Sequence, residues 1–427
     1  MSNPAAAMKP THVRYMVLLL AVLVYMITYI DRTFISTAIP AAQKDLLFSD
    51  VVMGSILAAH QLAYGLFQIP AGWLADKYGP RWILASLVLW WCGFMVVTSF
   101  ADSVIALQAG LFLFGAGEAG AFPVANRALS RWLLPSERAF AQGATHAGSR
   151  LGGAITPIFV VAVIKIYGWR APFWMLALLG LFWVVVWLWY YRDSPAEHKG
   201  VNQAERDRIE AALGTAPARA RVIPWGKILS SGNMWTLALM YACYSVILII
   251  FLTWFPKYLI SARGADLKLA GQLTSITLAA GMVGDLLGGV VSDYLVHRTG
   301  RVTFSRRVVA MFGFLLTAAL IPVAVLSQDM TTSIVCFGIA IFGLELTVSN
   351  SWAVTLDIGG PFAGSCSAVM NSFGNLCAAI FTSRVGAFES AYGWDAVFFT
   401  VAGAGVLAAL LFSRIKAHEP LAAAHTG

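Results

Sequence analysis

The feature that most constrains this chain is a series of apolar runs, each about as long as a bilayer is thick. A spanning helix needs about 20 mostly apolar residues at about 1.5 Å rise each. Twelve such runs occur, at about 15–37, 51–71, 82–100, 104–126, 139–164, 171–191, 234–256, 269–292, 308–327, 330–355, 363–387 and 396–413. Composition agrees with them. A soluble domain is about a quarter charged, whereas here 12% of residues are charged and 59% are apolar. Lipid can solvate such a surface and water cannot. The expected fold is an all-α membrane protein with twelve spanning helices. The first run, from Tyr15 past Ile30, is too long for the core of a cleavable signal and is expected to be the first span.

Charge placement gives the orientation. If the N-terminus lies inside and the loops alternate, 20 of the 29 Lys and Arg fall on inner segments and six on outer ones. That bias puts both termini in the cytoplasm. It also accounts for the net charge of +8 without a nucleic-acid partner.

The two halves repeat one another. Gly72-Trp-Leu-Ala-Asp76-Lys77-Tyr-Gly-Pro-Arg81 follows the second run, and Gly289-Val-Val-Ser-Asp293-Tyr-Leu-Val-His-Arg298 follows the eighth. Tyr167-Gly-Trp precedes the sixth run and Tyr392-Gly-Trp the twelfth. Two unrelated motifs returning at nearly one interval indicate a duplicated six-helix unit. The expected organisation is an N-terminal bundle at 1–191, a cytoplasmic central loop at 192–232 and a C-terminal bundle at 233–427. Such repeats are common in transporters, whose substrates bind at midplane between them.

Cys92, Cys243, Cys336, Cys366 and Cys377 all lie in apolar runs without metal-ligand spacing. They are expected to be apolar fillers, so no metal site or cofactor is anticipated. No nucleotide-binding loop or nucleophile constellation points to an enzyme.

Local motifs narrow the class. They are the 72–81 loop; Tyr29-Ile-Asp31-Arg32-Thr33; Gln68-Ile-Pro-Ala-Gly72; Gly115-Ala-Gly-Glu118; Pro135-Ser-Glu137-Arg138; Trp254-Phe-Pro256-Lys-Tyr258; and Asn371-Ser-Phe-Gly-Asn375. Together they resemble the anion:cation symporter family of the major facilitator superfamily, over nearly the whole chain. That family includes bacterial hexuronate, aldonate, glucarate, tartrate and phthalate permeases. The resemblance implies that Asp31 and Glu118 carry protons and that Arg32 binds the anion. It also implies a bacterial inner-membrane location. The family's usual Arg seven residues before the helix-4 acid is absent; Leu111 stands there. Arg150, in the fifth run, is the candidate replacement.

Ionisable groups inside spanning helices are functional candidates by default, because lipid does not tolerate them. Arg32 beside Asp31 is expected to form a compact charge pair, and a guanidinium fork suits a carboxylate or sulfonate. Glu118 sits among glycines that allow close helix approach. Arg150 is read either as an anion ligand or as the packing partner of Glu118. Glu345 is a second proton-site candidate, and Asp285 is expected near the cytoplasmic gate. Tyr29, Tyr64, Tyr241, Trp352, Asn371 and Asn375 are candidate substrate-binding groups, with His60 and His146 weaker ones. Asp76, Lys77, Arg81, Asp293 and Arg298, at inner helix ends, are candidate gate latches. The resulting expectation is proton-coupled import of a small organic anion by a monomer in the bilayer: a sugar acid, another carboxylate, or a sulfonate such as sulfoacetate. A drug or metabolite exporter of the same fold is the alternative. Exporters favour an acidic, aromatic cavity, so the central arginines argue against it.

Overall fold

The structure, a computed structural model, describes residues 9–213, 222–419 and 421. These are helical, without strands among the described residues. Twelve long helices cross the fold. They are α1 (Val13–Leu46), α2 (Asp50–Tyr78), α3 (Pro80–Ser99), α4 (Val104–Trp132), α5 (Arg138–Tyr167), α6 (Ala171–Tyr190), α7 (Gly232–Ser261), α8 (Leu267–Thr299), α9 (Val302–Leu326), α10 (Met330–Gly359), and α11 and α12, which share Ala363–Arg414. The last two are divided at Gly393, whose φ of 79° is open to glycine and strained for other residues. Among the described residues nine helical stretches are apolar and long enough to cross a membrane. One of them, Met330–Arg414, holds three crossings. α2, which lies outside those nine stretches, completes the twelve.

Several helices run past the apolar runs that announce them. α1 continues to Leu46 and α8 to Thr299. Polar side chains at helix ends reach water, so helical backbone outlasts the apolar pattern.

Local chemistry shapes two helices near the centre. α4 breaks at Ala119–Gly120, immediately after Glu118. Pro123 has no N–H to return to that turn, so the ladder cannot run through it unbroken. α7 loosens into a π segment at Ile250–Trp254, just before Pro256.

Helix pairing repeats between the halves. α1 packs on α5, α2 on α4 and α3 on α6; in the second half α8 packs on α10 and α9 on α10. Gly374 brings α11 against Tyr241 of α7, and Gly405 brings α12 against Ala318 of α9. The segment after α6 is tied to the first half. Buried Arg14 bonds Glu137 at 3.1 Å and Glu205 at 2.9 Å, joining the start of α1, the α4–α5 turn and the short helix Gln203–Leu213.

The halves touch along α5·α8 and α2·α11. At the end bearing the termini the contact is tight. A Cβ on Gly72 would sit 2.5 Å from the Gly364 carbonyl oxygen, and one on Gly143 or Gly289 would strike the facing backbone of α8 or α5. Cys366 is a free, fully buried thiol in this seam, with Gly359 and Asp76 beside it. Farther along, the same helix faces part. On α2, Gly72 and Gln68 are buried, Gly65 has open space around it, and Gln61 and Ala58 are exposed. On α11, Gly364, Ala368 and Asn371 are buried and Asn375 is exposed. The protein is therefore sealed at its terminus-bearing end and open at the other.

Candidate functional site

The sealed end and the cavity above it bring together most of the candidate residues, in pairings that differ from those expected. Arg32 does not pair with Asp31. Adjacent residues on a helix point about 100° apart. Arg32 Nε meets Glu118 Oε1 at 3.2 Å, while neither carboxyl oxygen of Asp31 has a hydrogen-bond partner. The other oxygen of Glu118 lies 2.6 Å from His60 Nε2. Gly115 makes this possible, because a Cβ there would sit 2.5 Å from the His60 carbonyl oxygen. The Arg32 guanidinium lies 4.0 Å from the Tyr64 ring centre, 5.4 Å from Tyr29 and 5.6 Å from Phe122. Cations are attracted to aromatic faces. The Arg32 side chain remains 24% exposed, and its buried Nη2 has no hydrogen-bond partner.

From there an aromatic wall crosses between the halves. Phe122 lies 5.9 Å from Trp352, and His146 lies 5.4 Å from it. Trp352 donates to the Tyr241 hydroxyl at 3.0 Å, and Tyr241 stacks on Tyr244. Tyr244 donates to Glu345 at 2.8 Å.

Arg150 ends this wall, and it is not a partner of Glu118. Its Nε meets Asp285 at 2.9 Å, and a terminal nitrogen pairs with Glu345. An N-half cation is thus held by two C-half acids. Asp285 lies in the sealed seam against Gly143, two helical turns along α8 from Asp293. Asp285, Gly289 and Asp293 form an i, i+4, i+8 row, and that spacing was the available signal that one face of α8 meets α5.

Of the polar α11 pair, Asn371 donates to Gln68 at 2.5 Å across the seam, while Asn375 is exposed. One helical turn separates them, and the opening of the halves falls in that turn.

Two of the five latch candidates cross the seam. Asp76 accepts from the backbone N–H of Gly364 and Ser365 at 3.1 and 2.7 Å and pairs with Arg127 at 3.3 Å. Asp293 accepts from the N–H of Phe140 at 2.7 Å and pairs with Arg306 at 2.6 Å. The other three turn elsewhere. Arg81 donates to Leu188 O within its own half, Lys77 lies over Trp73 and Tyr78 of its own helix, and Arg298 bonds Tyr294 one turn back. The seam uses residues not singled out as latches: Arg138 with Asp357 at 2.8 Å, Arg306 with Asp357 and the Pro135 carbonyl, and Asn126 with Thr355. Arg138 and the Arg306-Arg307 pair stand out in sequence, but their partner Asp357 carries no motif.

A twelve-helix duplicated bundle with a cavity opening between its halves is the architecture of a membrane carrier, and residues 21–382 match the Major Facilitator Superfamily. The chain belongs to that superfamily and is a transport protein rather than an enzyme. Among curated relatives it is 38% identical over 360 residues to a probable sulfoacetate transporter, SauU, of Cupriavidus necator, covering 84% of this chain and 83% of that one. It is 30% identical to a hexuronate transporter of Bacillus subtilis, covering 93% of each. In fold it is similar to the proton:xylose symporter XylE, with a TM-score of 0.73 at 13% identity, 94% of this chain and 96% of that one being covered. It is equally similar to the E. coli fucose:proton symporter FucP, with a TM-score of 0.74 at 12% identity, covering 95% and 100%. The two curated relatives fit the organic-anion branch that the motifs resemble.

Proposed function

We propose that this chain imports a small organic anion together with protons, with sulfoacetate as the leading candidate. The observation that carries this reading is Arg32. It is anchored on Glu118 and backed by aromatic rings, its Nη2 has no hydrogen-bond partner, and part of its side chain stays exposed. A guanidinium so placed can grip a carboxylate or sulfonate through two parallel hydrogen bonds. Sulfoacetate enters from the name of the 38% identical relative, and hexuronates and other sugar acids are the next candidates.

In this reading Glu118 and Asp31 carry the protons. An anion arriving at Arg32 competes with Glu118 for it. Protonating Glu118 frees the guanidinium and offsets the incoming charge. His60, at 2.6 Å, can relay that proton. Asp31, buried without a hydrogen bond, suits the neutral acid form. Tyr29, Tyr64, Tyr241, Trp352 and Asn371 line the path, and Asn375 meets substrate as it enters. Alternating access then opens the sealed seam as the outer cavity closes. By the charge bias, the sealed end faces the cytoplasm of a bacterial inner membrane, with the protein acting as a monomer.

The test is uptake of labelled sulfoacetate into proteoliposomes. Acid outside should stimulate it, and dissipating the gradient should abolish accumulation. Uptake indifferent to the pH gradient overturns the coupling. Absence of both uptake and thermal stabilisation for sulfoacetate, glucuronate, glucarate and tartrate overturns the substrate class.

A further inference from the structure

We propose that Asp285 and Glu345 hold one exchangeable proton between them over Arg150, forming a second proton-loading site in the seam between the halves, separate from Glu118.

The geometry requires more than an ion pair. Arg150 contributes one positive charge and the two acids two negative ones. Asp285 is fully buried and Glu345 is 1% exposed. Fully ionised, the cluster would hold an uncompensated negative charge among apolar helices, which burial strongly disfavours. One proton makes it neutral. The hydrogen bonds leave a place for that proton. Glu345 accepts from Arg150 through one oxygen and from Tyr244 through the other. Asp285 accepts from Arg150 Nε through Oδ2, and its buried Oδ1 has no donor. Both carboxyl groups sit on the one Arg150 guanidinium, Asp285 at Nε and Glu345 at a terminal nitrogen, which brings the two acids together. Two carboxylates cannot bond each other, whereas a carboxylic acid and a carboxylate can. The surrounding titratable groups are Tyr29 from α1, His146 from α5, and Tyr241 and Tyr244 from α7. His146 is already bonded to the Gln142 carbonyl through Nδ1.

Access comes from the cavity. The Arg150 side chain is 14% exposed. A proton adds to one carboxylate there, the guanidinium stays charged, and no other group changes state. Because Arg150 belongs to the first half and both acids to the second, the proton weakens a clasp across the seam. An anion reaching the exposed edge of Arg150 would displace a carboxylate that leaves neutral. This consequence for transport rests on the proton-coupled reading above; the shared proton itself does not.

Infrared difference spectroscopy on the purified protein in lipid films, stepped from alkaline to acid pH without organic anion, tests the site directly. The wild type should show a protonated-carboxyl C=O band with a component lost in Asp285→Asn and equally in Glu345→Gln. In either variant the remaining acid faces Arg150 one to one and stays ionised. Glu118→Gln should keep this component. A band unchanged in both seam variants overturns the proposal. If the neutral variants do not fold, Asp285→Glu and Glu345→Asp should each shift the component, and an unshifted band in both is equally fatal. Because no anion is present, failure of uptake and stabilisation across the four organic acids would overturn the proposed function and leave this result standing.

Discussion

Arg32 is the residue on which anion recognition turns, and its surroundings set what a substitution does. Its guanidinium holds Glu118 through Nε and spreads over Tyr64. Lys offers one compact ammonium and cannot hold Glu118 while presenting a fork. Arg32→Lys is therefore expected to lower uptake by roughly ten- to a hundred-fold, about what losing a charged hydrogen bond of 1.5–3 kcal/mol gives. Arg32→Ala should abolish uptake. Proteoliposome uptake at matched protein amounts checks both. Glu118→Gln separates binding from coupling. Gln can still bond Arg32 and His60 but carries no exchangeable proton. Counterflow exchange of the anion should persist in it, while accumulation driven by acid outside should disappear. Survival of that accumulation would remove Glu118 from the proton path.

Elements meet in this fold through glycines, and the seam shows what they control. Gly72 and Gly364 bring α2 and α11 into backbone contact at the sealed end, while Gly65, two turns along the same helix, faces open space. Gly72→Leu should block closure of that end and hold the carrier open there, cutting uptake at least ten-fold. Gly65→Ala should transport near the wild-type rate. Spin-label distances across α2 and α11 would show which end has opened. The same contrast explains what the sequence could reveal. Apolar length, the charge bias and the returning Gly-x-x-x-Asp motif made the helices and their duplication legible, because each is a local pattern imposed by lipid or by descent. Arg32, Glu118 and Arg150 were visible as charges in apolar runs. Their pairing was not. Asp31 and Arg32 are neighbours in the chain yet point apart, and Arg150 finds its acids 135 and 195 residues away. Such partners are fixed by the docking of one half on the other, which no local pattern records.

The whole molecule is sealed at one end by buried charge. Arg306 is fully buried and bonds Asp293, Asp357, Ser292 and the Pro135 carbonyl. Removing one partner from such a network costs about 3–5 kcal/mol, because the others keep their burial and lose their compensation. Arg306→Ala should thus lower the melting temperature. Asp293→Asn, which keeps its shape, should instead shift the population towards the conformation open at the terminus-bearing end. Cys366 gives that equilibrium a clock. Its thiol is fully buried against Gly359, one residue along from the bond of Asp76 to Ser365 across the seam. In a variant whose other four cysteines are replaced by Ser or Ala, alkylation of Cys366 can proceed only while the seam stands apart. Its labelling rate, with reagent supplied on that face alone, would count turnovers of the empty carrier without any substrate being known.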